Sequence, residues 1–165
     1  MISYEVALST IIATVVIIPN SFNLSEIWYF QIVIIFLIPL FPLAFIWFIS
    51  ALAETNRAPF DLPEAESELV SGFSTEHSSL PFAYFFLAEY GSIIFISALT
   101  IILFLGFWIP LFFSLPFILI LFIWIRASFP RLRYDQLMSL CWTAILPFSF
   151  AFFLFVASIL SLNPF

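Results

Sequence analysis

Ile27-Trp-Tyr-Phe-Gln-Ile-Val-Ile-Ile-Phe-Leu-Ile-Pro-Leu-Phe-Pro-Leu-Ala-Phe-Ile-Trp-Phe-Ile-Ser-Ala-Leu-Ala53 contains no charged residue, and Glu54-Thr-Asn-Arg57-Ala-Pro-Phe-Asp61 follows it directly. A helix needs about 20 largely apolar residues to cross the hydrocarbon core of a bilayer. The run exceeds that length, so its solvent is lipid. The whole chain agrees, with 64% hydrophobic residues, 8% charged residues and a mean hydropathy of +1.21. Soluble domains average roughly 45–50% apolar and about 25% charged residues. The fold class expected is an all-α polytopic membrane helix bundle.

Working outward, four more apolar stretches fit crossings, giving five in one transmembrane domain spanning residues 1–165. The first covers about 6–24 and loosens into Pro19, Asn20, Ser21 and Asn23, residues suited to leaving a membrane through a turn. The second is the 27–53 run itself. From Phe82 to Ile125 the only charge is Glu89, and the stretch is too long for one helix. Gly106, Trp108 and Pro110 divide it into crossings at 82–106 and 108–125. The fifth covers 138–162. A cleaved leader at the start is disfavoured, because the first stretch lacks a basic flank and carries Glu5 where positive charge is expected.

Counting crossings places the links 53–80 and 126–137 on one face. All four cationic residues, Arg57, Arg126, Arg131 and Arg133, lie in those links. By the positive-inside rule that face is cytoplasmic or matrix. Only Glu26 lies in a link on the other side, so the chemistry is concentrated at one surface. The net charge of −6 and the absence of any Lys/Arg run exclude the electrostatic footprint of nucleic-acid binding. A single Cys141 within an apolar stretch excludes a disulfide framework and reads as a small buried hydrophobe.

Six of the ten acidic residues, Glu54, Asp61, Glu64, Glu66, Glu68 and Glu76, lie in the first of those links. Asp61 with Glu64 three residues on suits a helix start, Pro63 a first turn and Gly72 a terminus, which predicts a short helix over about 62–70. On it Glu64 and Glu68 share a face at i and i+4, while Glu66 points elsewhere. The run reads in two ways. It is a solvated amphipathic loop, or it is partly buried, as the interleaved Ala58-Pro59-Phe60, Leu69-Val70 and Phe73 suggest, with some carboxylates raised in pKa and able to exchange protons near neutrality. Glu89 would lie roughly 10 Å below the surface at 1.5 Å per residue. Intramembrane carboxylates mark ion or proton routes, although Glu89 also suits a structural acid partnered by Tyr90. Taken alone, the residues point to a proton-handling or ligand-binding membrane subunit.

The block Leu52-Ala-Glu-Thr-Asn-Arg-Ala-Pro-Phe-Asp-Leu-Pro-Glu-Ala-Glu-Ser-Glu-Leu-Val-Ser-Gly-Phe73 closely resembles the signature loop of subunit 1 of NADH:ubiquinone oxidoreductase, respiratory complex I. Phe85-Phe-Leu-Ala-Glu-Tyr90 and Trp124-Ile-Arg-Ala-Ser-Phe-Pro-Arg-Leu-Arg-Tyr-Asp-Gln-Leu-Met138 resemble two further family blocks, in family order. The likeness covers essentially the whole chain but only about the C-terminal half of the family protein, five of its eight crossings. Ile2-Ser-Tyr-Glu-Val6, an internal motif in the family, here follows Met1, which favours a split gene whose N-terminal half is a separate polypeptide.

The resemblance implies roles by position. Arg57, Asp61, Glu64, Glu66 and Glu68 would line the quinone chamber. Glu5, Glu54, Glu76 and Glu89 would belong to the acidic path that couples quinone reduction to proton translocation. Arg126, Arg131, Arg133 and Asp135 would fix topology or dock the peripheral arm. It also implies ubiquinone as substrate, no covalently bound cofactor and no metal in this chain. Iron–sulfur clusters and FMN would lie in partner subunits of the peripheral arm, beside adjacent membrane-arm subunits. The location implied is the mitochondrial inner membrane, with both charged links in the matrix, and abundant Phe gives weak support to organellar coding. His77 and Thr143 depart from the family's usual Tyr and Lys. A membrane-bound hydrogenase subunit, or a non-catalytic scaffold or transporter, are the alternative readings.

Overall fold

A computed structural model describes residues 2–55, 59–60, 79–106, 111–130 and 132–162. Among them every regular element is helical. The elements are α1 (Ile2–Ile17), α2 (Leu24–Phe30), α3 (Phe41–Glu54), α4 (Ser79–Thr100), α5 (Leu111–Ser128), α6 (Tyr134–Leu140) and α7 (Leu146–Leu162). A π turn, Ile101–Leu105, extends α4, and another, Cys141–Ile145, joins α6 to α7. Two apolar helices have the length of a bilayer span, Phe82–Leu105 and Tyr134–Leu162. The short acidic helix expected at 62–70 lies outside the described residues.

Helix ends follow the punctuation of the sequence. Pro19 has no N–H to continue α1, and Asn20 turns the chain with φ +54, a left-handed conformation that Asn tolerates better than most residues. Asn23 then caps α2, its Oδ1 accepting from the Ser25 N–H at 3.2 Å. The longer helix Tyr134–Leu162 contains Pro147, which lacks an N–H and whose ring crowds the carbonyl of residue 143. The wider turn at Cys141–Ile145, just before that proline, makes room for it.

The stretch 27–53, expected as a single crossing, is not one continuous helix. Helix is present over Leu24–Phe30 and Phe41–Glu54, and residues 31–40 are turns. Pro39 and Pro42 explain why helix restarts only at Phe41, since Pro42 suits the first helical turn and both interrupt the i→i−4 ladder. In an apolar environment the freed backbone groups must find partners. They find them on the end of α4. The Leu37 N–H donates to the Phe104 carbonyl at 3.0 Å. The Gln31 Nε2 donates to the carbonyls of Ile102 and Leu103 at 2.8 and 3.1 Å. A broken helix and a helix terminus thereby satisfy one another.

Gly106 makes that junction possible. Its φ of +51 and ψ of −139 suit glycine alone, and a Cβ there would lie 2.5 Å from both Cβ and Oε1 of Gln31. Gln31 is fully buried, and its Oε1 has no hydrogen-bond partner.

Two apolar clusters stack along the bundle. One joins Ile11, Val15, Ile27, Phe36, Leu43, Trp47 and Phe104 around the broken helix. There the Trp47 Nε1 donates to Thr100 Oγ1 at 2.9 Å. The other joins Tyr4, Ala51, Leu52, Phe60, Phe122, Leu137 and Cys141. Helix α1 packs on α7, with a 3.0 Å bond from Thr10 Oγ1 to the fully buried Ser149 Oγ, and Ala7 and Thr14 of α1 are fully buried as well. Small side chains let membrane helices approach closely where no hydrophobic force drives them together. The outer faces carry apolar side chains such as Phe117, Ile120, Ile123 and Trp124, each about two-thirds exposed. Such a surface is stable only against lipid or further protein, and the chain is a helical membrane bundle.

Candidate functional site at the acidic end of the bundle

The start of α1, the end of α3 and the start of α6 gather at one end, with Pro59, Phe60 and Leu132 of the two charged links beside them. The Leu132 N–H donates to the Pro59 carbonyl at 2.9 Å, which ties the Arg-bearing link before α6 to the start of the acidic link. Phe60 is buried beside Pro59 in the same apolar cluster as Leu137. The first residues of the acidic link are thus anchored to the bundle through an apolar wedge and a backbone bond.

Glu5 lies in the first turn of α1, and Glu54 is the last residue of α3, just beyond the uncharged run that ends at Ala53. Both are exposed at the level of their whole side chains. Even so, burial holds the Glu54 carboxyl above its ordinary value, and the negative charge of Glu5 raises it further. The Glu54 carboxyl therefore retains a proton more readily than an ordinary carboxylate does. Below them the backbone carbonyls of Ala51 and Leu52 are taken by Thr55 Oγ1, at 3.1 and 3.2 Å, which closes the end of α3.

Glu89 is half-buried on α4, two turns inside the apolar span. Arg126 is exposed two residues before the end of α5. Arg133 stands at the start of α6, its N–H accepted by Gln136 Oε1 at 3.3 Å, and Asp135 occupies the first turn, where the helix dipole favours an acid. Thr143 is exposed and spends its hydroxyl on the Ser139 carbonyl at 2.6 Å. Arg57, Asp61, Glu64, Glu66, Glu68, Glu76, His77 and Arg131 lie outside the described residues. The structure thus brings Glu5 and Glu54 together, sets Arg133 and Asp135 on an adjoining helix start, and places Glu89 and Arg126 on the α4–α5 side.

One feature of this end was not read from the sequence, while the burial of Phe60 was foreshadowed by the apolar residues interleaved among the acids. The Pro59 to Leu132 bond carried no signal, because a backbone contact leaves no mark on residue type. No three His, Cys, Asp or Glu side chains converge among the described residues in a way that could hold a metal.

A family model described as NADH dehydrogenase matches residues 1–157. The NADH-ubiquinone oxidoreductase chain 1 of Metridium senile is 56% identical over 172 residues, covering 97% of this chain and 52% of that protein. An NADH-quinone oxidoreductase subunit of Rhodospirillum centenum is 50% identical over 175 residues, with the same shares of 97% and 52%. The NADH-ubiquinone oxidoreductase chain 1 of Arabidopsis thaliana is 52% identical over 166 residues, covering 92% of this chain and 51% of that one. The chain spans about half the length of these relatives.

Proposed function

Because the chain belongs to the NADH dehydrogenase family that includes NADH-ubiquinone oxidoreductase chain 1, we propose that it forms one wall of a quinone-reduction chamber in a proton-translocating oxidoreductase. The observation that carries this reading is the match to relatives of that name across nearly the whole chain, acidic link included. The geometry supports it: the acidic link starts from an anchored Pro59-Phe60 corner, near Glu54, whose carboxyl burial and the charge of Glu5 hold above its ordinary value.

Reduction of a quinone to a quinol takes up two electrons and two protons. The electrons enter from outside this chain, since one Cys and one His cannot make the four-thiolate or mixed ligand sets of iron–sulfur clusters. Partner subunits carrying iron–sulfur clusters and FMN supply them. Negative charge arriving on the quinone next to Asp61, Glu64, Glu66 and Glu68 raises the proton affinity of those carboxylates. Arg57 offers the compensating cation. Proton uptake there is passed to Glu54 and Glu5, with Glu76 and Glu89 on the same route toward adjacent membrane subunits. Arg131, Arg133 and Asp135 face the peripheral arm.

The topology that fits has five crossings with both charged links on the matrix side of a mitochondrial inner membrane. The test is Glu64→Gln and Glu68→Gln in the assembled enzyme. Quinone reductase turnover falls while NADH oxidation by an artificial acceptor is retained. Unchanged quinone reductase turnover in an assembled enzyme rejects the chamber role, and co-purification with a nickel–iron subunit transfers the reading to a hydrogenase.

A further inference from the structure

A groove of about 260 Å³ lies between α4 and α5. Ile93, Ile94, Leu119 and Ile123 form its walls, and its only polar side chains are Tyr90 and Arg126. Ile94 is 50% exposed and Ile123 67%, so the groove opens sideways on the outer surface of the bundle. Its occupant comes from the bilayer rather than from water. The chemistry along it is graded, with apolar walls that include Phe122 and one guanidinium near the end of α5.

Arg126 is exposed. Arginine stays protonated under all ordinary conditions and offers a planar fork of donors that matches a phosphate. Its position within an apolar lining demands an anion whose remaining surface is hydrocarbon. We propose that the α4–α5 groove binds an anionic phospholipid, with one acyl chain against Ile94, Leu119 and Ile123 and the phosphate on Arg126. A basic residue between membrane helices at the Arg-bearing face is the setting in which anionic headgroups are retained. A zwitterionic headgroup brings its own ammonium and neutralises the attraction.

The test uses the purified membrane complex that contains this chain. It is incubated with phosphatidylglycerol carrying a photoactivatable diazirine on one acyl chain, irradiated, and digested for peptide mapping. Label is expected on the peptides carrying residues 90–94 and 119–126. Unlabelled phosphatidylglycerol displaces it, and the same amount of phosphatidylcholine does not. Arg126→Gln lowers the labelling by about tenfold, the loss implied by removal of a charge-assisted contact. If that variant does not assemble, the competition between the two lipids on the unaltered complex decides. Equal displacement by phosphatidylcholine reduces the groove to unspecific lipid contact and overturns the proposal. So does absence of label, which means another helix fills the groove, or displacement by excess quinone, which assigns the groove to the quinone path.

Discussion

Gly106→Ala tests how the broken helix is held. The substitution adds one methyl group where φ is +51 and ψ −139, and where that group meets Gln31 Cβ and Oε1 at 2.5 Å and Cδ at 2.9 Å. Backbone strain of this kind costs about 1–3 kcal/mol. The Gln31 Cβ belongs to the backbone unit and cannot swing away, so residues 31–40 or the end of α4 must shift. Either shift separates Gln31 from the Ile102 and Leu103 carbonyls. Hydrogen bonds between membrane helices average about 0.6 kcal/mol each, and an orphaned buried group costs about 1–3 kcal/mol. Together these give a loss of about 3–7 kcal/mol, a factor of about 100 or more in the folded population.

Gly91→Ala supplies the control, because a Cβ at Gly91 meets nothing within 4 Å and the residue sits inside α4. That change is neutral or stabilises by up to about 1 kcal/mol. The assay is the amount of assembled complex in native gels, together with its thermal midpoint in detergent. Gly106→Ala should lower both, and Gln31→Gly on that background should restore part of the loss by removing the clash but not the strain. If Gly106→Ala matches Gly91→Ala in both measurements, the junction does not hold the broken helix.

Ser149→Leu should push α1 and α7 apart, because Ser149 is fully buried against Thr10 and over-packing costs about 1–3 kcal/mol. Thermal denaturation of the complex checks it, and an unshifted midpoint speaks against close α1–α7 packing. The Glu54 carboxyl, raised first by burial and then by Glu5, is protonated more readily in the fold than in an unfolded chain. Its stabilising contribution is therefore fully present below the ordinary carboxylate range and is lost as pH rises through the raised value. Glu5→Gln removes one of the two causes and should move the Glu54 titration down, as followed by isotope-edited infrared absorption of the carboxyl group. An unmoved titration means the two acids do not sense each other.

The uncharged run and the high apolar content make the all-α membrane fold legible in the sequence, since few solvents other than lipid tolerate such a chain. The family blocks make the candidate site residues legible, but only as a likeness. How the chain is stitched together is not legible there. Pro39 and Pro42 are visible as interruptions, yet hydrophobicity alone runs straight through them. The partner that makes the break tolerable is Gln31, a lone amide whose donors reach carbonyls more than 70 positions away. Sequence spacing carries no trace of that contact. Likewise Gly106 reads as a divider between helices, while its tight fit against Gln31 depends on three-dimensional approach. The raised proton affinity of Glu54 comes from burial and from an acid on another helix, neither of which is local in sequence.

The central claim is that the acidic link walls a quinone chamber, and photolabelling addresses it directly. A quinone analogue with a photoreactive group on its ring is irradiated in the assembled enzyme, and the attached peptides are mapped. The account predicts label within residues 53–80 of this chain, abolished by excess quinone. Label confined to other subunits, or label on 53–80 that excess quinone fails to displace, would contradict it.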